Sequence, residues 1–389
     1  MYQVKCFNKI SPAGTSRFGK NYVCGEAVEN PDAILVRSAN MLDAELPENL
    51  LAIARAGAGV NNIPLKRCSE QGIVVFNTPG ANANAVKELV LCALFLSSRK
   101  IVSGIEWCKW LTGEDVAKQI EKGKSKFVGP EIAGKRLGVI GLGAIGVLVA
   151  NAATGLGMQV FGYDPYLSVD AAWGLSRGVH HARSLEEIWS ACDYITLHVP
   201  QTPDTKGMIN ADSLGKMKNG VRILNFARGG LVETVPMLEA LATGKVAAYA
   251  TDFPVPAMLG VRGVLPVPHL GASTPESEDN CARMAVDELR EYLENGNIMR
   301  SVNLPALAMA RRPGSARVCL IHRNLPNTIG AFAGKLAEMG LNIENMQSKS
   351  RNEYAYTVLD VTGAFPENAV ERLSVLEPVI RARILPQNA

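Results

Sequence analysis

Two side chains in this sequence have the makings of a proton-transfer site. Arg228 stands in Asn225-Phe226-Ala227-Arg228-Gly229-Gly230, and His269 in Val267-Pro268-His269-Leu270-Gly271. Each closes a short apolar run and opens a glycine-bearing turn. An imidazole has its ordinary pKa near neutrality, so it can take a proton from an alcohol or return one to a carbonyl. A guanidinium is always charged and forks onto both oxygens of a carboxylate. Together they suit hydride transfer at a carbon beside a carboxylate, provided a hydride carrier lies next to them. The bland alternative for His269 is a structural histidine satisfied by its neighbours.

The stretch 135–165, KRLGVIGLGAIGVLVANAATGLGMQVFGYDP, offers such a carrier a seat. An apolar run at 137–140 is long enough for one buried strand. Gly141, Gly143 and Gly146 follow as G-x-G-x-x-G. An alanine- and valine-rich segment then runs at helical spacing to Gly155, and a second apolar run, 158–163, ends on Asp164. Strand, glycine turn, helix, strand and acid in that order form a dinucleotide fingerprint. The first glycine permits the tight turn, the second lets the backbone approach a pyrophosphate, and the third lets helix and strand pack closely. The helix N-terminus adds unpaired N–H groups and the positive end of its dipole. Asp164 can accept from both ribose hydroxyls and would repel a 2′-phosphate, which favours NAD over NADP.

These residues need a sheet whose strands end at one edge. Past Asp164, strands are expected at 193–199, 221–226, 247–251 and 264–268, ending near His198, Arg228, Asp252 and His269. Five polar or ionisable endings predict a site along that edge. His198, followed by Val199-Pro200, reads as structural, and His180-His181 as part of a polar connection. Upstream, short apolar runs at 4–8, 33–36, 51–54 and 73–76 predict a first α/β unit of parallel strands. Two of its strand ends, Arg37-Ser38 and the glycines at 57 and 59, stand where a small anion could be held. Arg37 reads equally well as half of a surface ion pair. A helix is expected at 82–98, capped by Asn82 or Asn84. A further helical region at 101–122 carries Trp107 and Trp110 as packing or interface residues, and a long helix covers 277–295. A Pro- and Ala-rich linker at 304–314 leads to 317–385, a βαββα-like pattern expected to form a small ferredoxin-like unit separate from the catalytic body.

Composition narrows the field. A chain of 389 residues can hold two or three domains. A net charge of +3 argues against nucleic acid as the main partner. Eight scattered cysteines without a C-x-x-C pair read as reduced cytosolic thiols. Histidines and cysteines never fall at metal-ligand spacing. No secretion signal follows Lys5 and Lys9, and the longest apolar run, 138–150, is too short to cross a bilayer, so a cytoplasmic location and no membrane partner are expected.

The segments RAGAGVNNI, NTPGANANAVKELV, GVIGLGAIG, LHVPQT, NFARGG and PHLGAST resemble the D-isomer-specific 2-hydroxyacid dehydrogenases, and the C-terminal HRNLPNTIG and GLNIENMQSKS resemble an ACT domain. The resemblance implies an α/β chain of two Rossmann-like domains and a ferredoxin-like ACT domain. A discontinuous substrate domain would take 1–95 and the return helix 283–304, the NAD-binding domain 96–282, a linker 305–316 and the ACT domain 317–389. It implies Arg228 and His269 as catalytic. It implies dinucleotide contacts at Gly141, Gly143, Ala144, Ile145, Gly146, Asp164, Pro200, Phe226, Ala227, Arg228 and Asp252. Substrate-anion contacts fall on Arg37, Ser38, Gly57, Ala58, Gly59 and Asn82, and a serine-binding pattern on His322, Asn324 and Asn342. A phosphorylated 2-hydroxyacid substrate, L-serine as effector and a homodimer or homotetramer are implied with them. Another 2-hydroxyacid such as glycerate or lactate, or a non-catalytic NAD or amino-acid sensor, stands as the alternative. One position departs from the family: the glutamate that pairs with the histidine falls on Ala257, and no acid lies between Asp252 and Glu276.

Overall fold

The computed structural model describes residues 1–387. The chain forms two compact units, one from Met1–Ala81 with the chain from Glu278 onward, the other from Asn82–Ser277.

The first unit opens with five parallel strands, β1 (Tyr2–Phe7), β2 (Tyr22–Gly25), β3 (Ala33–Val36), β4 (Ala52–Arg55) and β5 (Val74–Phe76), in the order β2-β1-β3-β4-β5. The runs AILV, AIAR and VVF of β3 to β5 are almost wholly buried, as expected for parallel strands covered on both faces. β2 escaped the sequence reading because it is a half-exposed edge strand of only four residues, Tyr-Val-Cys-Gly.

The second unit holds seven parallel strands: β6 (Arg136–Ile140), β7 (Gln159–Tyr163), β8 (Val179–His181), β9 (Tyr194–Leu197), β10 (Val221–Asn225), β11 (Val246–Thr251) and β12 (Val264–Pro266). Their order, β12-β11-β10-β9-β6-β7-β8, reverses direction at β6, the doubly wound arrangement in which ligands sit at the carboxyl ends. His180 and His181 lie in β8, an exposed edge strand, and not in an irregular connection. Helix Ala83–Ser98 belongs to this unit, whereas the sequence division kept residues up to 95 with the first. Its stripe of Val86, Val90, Ala93 and Leu94 packs with Leu137, Val139, Val149 and Ala153. The stripe was legible, but its packing partner is a tertiary choice. The 101–122 region is two helices, Ile101–Cys108 and Val116–Gly123, separated at Gly113 with φ +95°. Trp107 packs on Phe127 at 5.3 Å, and Trp110 is exposed.

A third sheet, again in the first unit, is antiparallel: β13 (Ala316–Arg323), β14 (Asn342–Arg351), β15 (Tyr354–Thr362) and β16 (Val379–Leu385), ordered β14-β15-β13-β16. With helices Thr328–Glu338 and Ala369–Ser374 it makes the expected ferredoxin-like βαββαβ layer. It is not a separate body, however. Val318, Leu320, Leu359 and Val361 turn toward Phe332, Leu336 and Leu373. The alternate residues Cys319, Ile321, Tyr356 and Val358 share one core with Val4, Leu35, Ala54 and Phe76, and with Val286, Leu289 and Tyr292 of the return helix Pro275–Asn295. Side chains alternate along a strand, so a sheet that is apolar on both faces needs cover on both.

Arg317 locks this layer. Its side chain is fully buried, and Nε and Nη2 donate to the two oxygens of Asp360 at 2.7 and 3.0 Å. Nη1 donates to the carbonyls of Asn295 and Met309, both at 2.8 Å, and Nη2 to Ala310 at 2.9 Å. One guanidinium therefore joins the end of the return helix, the chain after it, β13 and β15. Among the described residues no helix is long and apolar enough to cross a membrane. Removing one partner of a buried pair leaves the other charge uncompensated. Arg317→Ala is expected to cost about 3–5 kcal/mol, read from the urea midpoint, and the apolar pair Arg317→Met with Asp360→Leu to recover most of it. An unchanged midpoint for Arg317→Ala refutes the lock.

Candidate active site

The glycine loop joins β6 to helix Ala144–Gly155, and each glycine has its own reason to be there. Gly141 has φ +90°, donates its N–H to the Tyr163 carbonyl at 2.9 Å, and would place a Cβ 2.6 Å from the His198 carbonyl oxygen. A Cβ on Gly146 would lie 1.9 Å from the Gly141 carbonyl oxygen, which no side chain tolerates. Gly143 faces open space, with nothing within 4 Å of an added Cβ. The first helical bond runs from the Val147 N–H to the Gly143 carbonyl at 3.1 Å, so Ala144, Ile145 and Gly146 have N–H groups with no intrahelical acceptor. Asp164, at the end of β7, accepts from the Leu142 and Tyr166 N–H groups, both at 2.8 Å, one on each oxygen. Each oxygen keeps a lone pair for a ligand hydroxyl. The His198 carbonyl lies close against Gly141, and the His198 N–H donates to the Ile140 carbonyl at 2.7 Å. Its ring bonds Thr196 at 3.0 Å, and burial pushes its pKa down to about 4, so it stays neutral. Pro200 lies exposed two residues on.

The ends of β10, β11 and β12 carry the ionisable groups. Asn225 is fully buried and closes the turn after β10. It accepts from the Ala227 N–H at 3.2 Å and donates to the Arg228 carbonyl at 2.9 Å. Phe226 is buried, and the exposed Arg228 side chain folds onto the Ala227 carbonyl at 2.6 Å. Asp252, after β11, is 3% exposed, and neither carboxylate oxygen has a hydrogen-bond partner. Burial raises its pKa, against the pull of the His269 charge, the nearby backbone N–H groups of Asp252 and Gly271, which lie short of well-formed hydrogen bonds, and the Arg228 charge. His269 is exposed after β12, its ring 4.8 Å from that of Phe253. Phe253 also abuts Gly229, where an added Cβ would meet its own Cβ at 3.2 Å. The structure therefore brings Arg228, Asp252 and His269 together on one sheet edge, with Phe253 packed against both the Arg228-Gly229 turn and the imidazole. The sequence reading missed Phe253, whose only signal was its place one residue past Asp252. Ala257 lies exposed in the turn Pro256–Met258 and brings no carboxylate. An orphaned buried carboxylate, an open glycine and free helix N–H groups fit a dinucleotide with a polar nicotinamide amide.

In the first unit, Arg37 ends β3 and pairs with Glu278 at 2.6 Å. Arg55, which the sequence reading passed over, ends β4 and braces this corner. Its Nε donates to the Arg37 carbonyl at 3.0 Å and its Nη1 to the Gly59 carbonyl at 2.5 Å. Ser38 is held through its N–H by Asn8 at 3.0 Å, and Ala58 through its carbonyl by Asn77 at 2.6 Å. Gly57 leaves room for the Arg55 guanidinium, 2.9 Å from an added Cβ. Asn82 precedes helix Ala83–Ser98 without a side-chain cap bond and falls in the second unit. His322 and Asn324 line a cavity of about 230 Å³ with Thr328, Ser348 and Lys349. Both His322 ring nitrogens are already bonded, to the Arg323 carbonyl and Thr357, each at 2.8 Å. Asn342 does not join them: it pairs with Thr362 while His322 pairs with Ala355, seven positions away on β15, about 24 Å along the strand. Among the described residues no group of three or more His, Cys, Asp or Glu could hold a metal.

Residues 95–271 match the model of the D-isomer specific 2-hydroxyacid dehydrogenase, NAD binding domain. Over 380 residues, 92% of this chain and 88% of the relative, the sequence is 32% identical to D-3-phosphoglycerate dehydrogenase of Haemophilus influenzae. The chain belongs to the D-isomer specific 2-hydroxyacid dehydrogenases. It is 33% identical over 321 residues to the human D-3-phosphoglycerate dehydrogenase, covering 79% of this chain but 57% of that one. Among solved structures, the NAD+-bound 3-phosphoglycerate dehydrogenase of Entamoeba histolytica shares the fold at TM-score 0.58 and 23% identity, over 79% of this chain and 99% of that one. The TT0316 protein of Thermus thermophilus does so at 0.64 and 25%, over 77% and 99%. The dehydrogenase takes NAD, and the glycine loop of its second unit has the geometry described above.

Two measurements test the loop and its support. Gly143→Ala should melt like wild type and lose NADH affinity, whereas Gly146→Ala should lower the melting temperature itself. Equal effects on both quantities contradict the separate roles. His198 has an ordinary pKa of 6.5 and a folded value of about 4. The unfolded chain therefore binds the extra proton across that window, and stability should fall as pH drops through it. His198→Gln should flatten the fall. An unaltered pH profile excludes His198 as its source.

Proposed function

We propose that this dehydrogenase interconverts D-3-phosphoglycerate and 3-phosphohydroxypyruvate, with L-serine as its effector. The observation that carries the chemistry is the meeting of Arg228, Asp252 and His269 at the ends of three neighbouring strands. When bound, NAD supplies hydride acceptance. Arg228 holds the substrate carboxylate with its two-pronged donor set. His269 takes the proton from the C2 hydroxyl during oxidation and returns it during reduction. Asp252 offers its unpartnered oxygens to the nicotinamide amide, and Asp164 its remaining lone pairs to the ribose. Arg37, Ser38 and residues 57–59 are the proposed contacts of the substrate anion. The name of the Haemophilus relative and the appended ferredoxin-like layer favour the phosphorylated substrate over glycerate or lactate.

The effector set supports a second copy as partner. β14 is a ten-residue edge strand with its side chains largely exposed. Antiparallel pairing of two β14 strands about a two-fold axis would bring Asn342 of one copy to the Arg351 end of the other, where Ser350, Lys349 and Asn324 line the cavity.

The test is loss of NADH absorbance with 3-phosphohydroxypyruvate, with and without serine. Turnover faster than with hydroxypyruvate or pyruvate, slowed by serine, is expected. No oxidation at high enzyme concentration sinks the reading in favour of an NAD or amino-acid sensor. General acid–base catalysis contributes roughly 10²–10⁴-fold, so Ala257→Glu should raise kcat by about tenfold. The same variant should move the histidine limb of the pH profile upward, because a neighbouring carboxylate stabilises the imidazolium. No gain means that His269 lacks nothing at that position.

A further inference from the structure

Cys6 on β1 and Cys24 on β2 bring their sulfurs to 3.2 Å. Both thiols are free and half-buried. Cys24 stands opposite Val4, one side-chain period before Cys6, so the two cysteines share a face of the sheet. β2 is the outermost strand and only four residues long, so one side of it is unpaired and its backbone can give. A disulfide holds its sulfurs about 2.05 Å apart, so an approach of roughly 1 Å closes the gap. Neither thiol belongs to the candidate active site described above, and their separation of eighteen residues gave no sign of the contact.

We propose that Cys6 and Cys24 form a thiol–disulfide couple oxidised by low-molecular-weight disulfides such as glutathione disulfide. Hydrogen bonding with Cys6 holds Cys24 below the ordinary thiol pKa, burial opposing, so Cys24 ionises first. Its thiolate attacks one sulfur of glutathione disulfide and expels one glutathione thiolate. Cys6 Sγ, giving its proton to water, then attacks the Cys24 sulfur and expels the second glutathione. Two protein thiols are oxidised, and one small disulfide is reduced to two thiols. The remaining cysteines behave differently. Cys68 and Cys192 are buried and pushed up to about 12, while Cys92 and Cys108 are exposed and have no thiol beside them.

The cross-link would close a loop that anchors much of the first unit. Asn8 within it, at φ +68°, accepts from the Ser38 and Ala39 N–H groups at 3.0 and 2.7 Å. Ser11 donates to Asp279, and Arg17 forks onto Asp287 at 2.7 and 2.9 Å, both on the return helix. Closing the loop restricts the unfolded chain and stabilises the unit. None of this depends on the proposed reaction.

The full-length chain, reduced and freed of thiol, is placed in glutathione buffers of rising disulfide fraction, alkylated, and mapped by mass spectrometry. A peptide linking Cys6 to Cys24 is expected while Cys68, Cys192, Cys281 and Cys319 remain alkylated. The melting temperature should rise by on the order of 5 °C, return with dithiothreitol, and stay unmoved in Cys24→Ser. Glutathione adducts on Cys6 or Cys24 without the linked peptide overturn the proposal. So does a buffer in which both are still alkylated after Cys92 and Cys108 have reacted, or an equal rise in Cys24→Ser.

Discussion

A parallel strand covered on both faces has nowhere to put a polar side chain except at its ends. β10 and β11 are buried along almost their whole length, the short edge strand β12 lies beside β11, and the chain turns polar where each of the three stops. Neighbouring strands lie about 4.8 Å apart. Three adjacent ends therefore set Arg228, Asp252 and His269 within reach of each other's charge without any side-chain bond between them. The same edge carries the glycine loop, because β6 lies where the strand order reverses. The desolvation that stabilises the sheet and the clustering of ionisable groups at its edge have one cause.

The groups on that edge are held in different ways. Arg228 is placed by its backbone, through a buried asparagine that bonds the turn at two points. Asp252 is held in a buried position with the backbone N–H groups of Asp252 and Gly271 nearby, and its pKa is raised by desolvation. His269 leans on the Phe253 ring. A ring contact limits how the imidazole tilts but does not select which nitrogen carries the proton, a task that a hydrogen-bonding carboxylate performs.

The C-terminal layer is fused to its host. Its second face supplies part of the core of the first sheet and the return helix, and Arg317 ties three segments with a single guanidinium. Close-packed interiors transmit displacement instead of absorbing it.

Much of this was written in local order along the chain. The glycine spacing, the acid at the end of β7 and the run-then-polar rhythm of the strands are short-range patterns, because each reflects one strand and the turn after it. Ferredoxin-like order at the C-terminus was legible for the same reason. Other features depend on which distant segment packs against which. They include the second buried face of β13, the union of helix Ala83–Ser98 with the glycine-loop helix, the Arg55 brace, the Phe253 contact, the meeting of Cys6 with Cys24, and the distance between Asn342 and His322. Periodicity says that a face must be covered but not by what, and a strand register far along the sheet leaves no mark on either sequence. The sequence by itself determined the chemistry on offer; only the tertiary structure decided which of those groups meet.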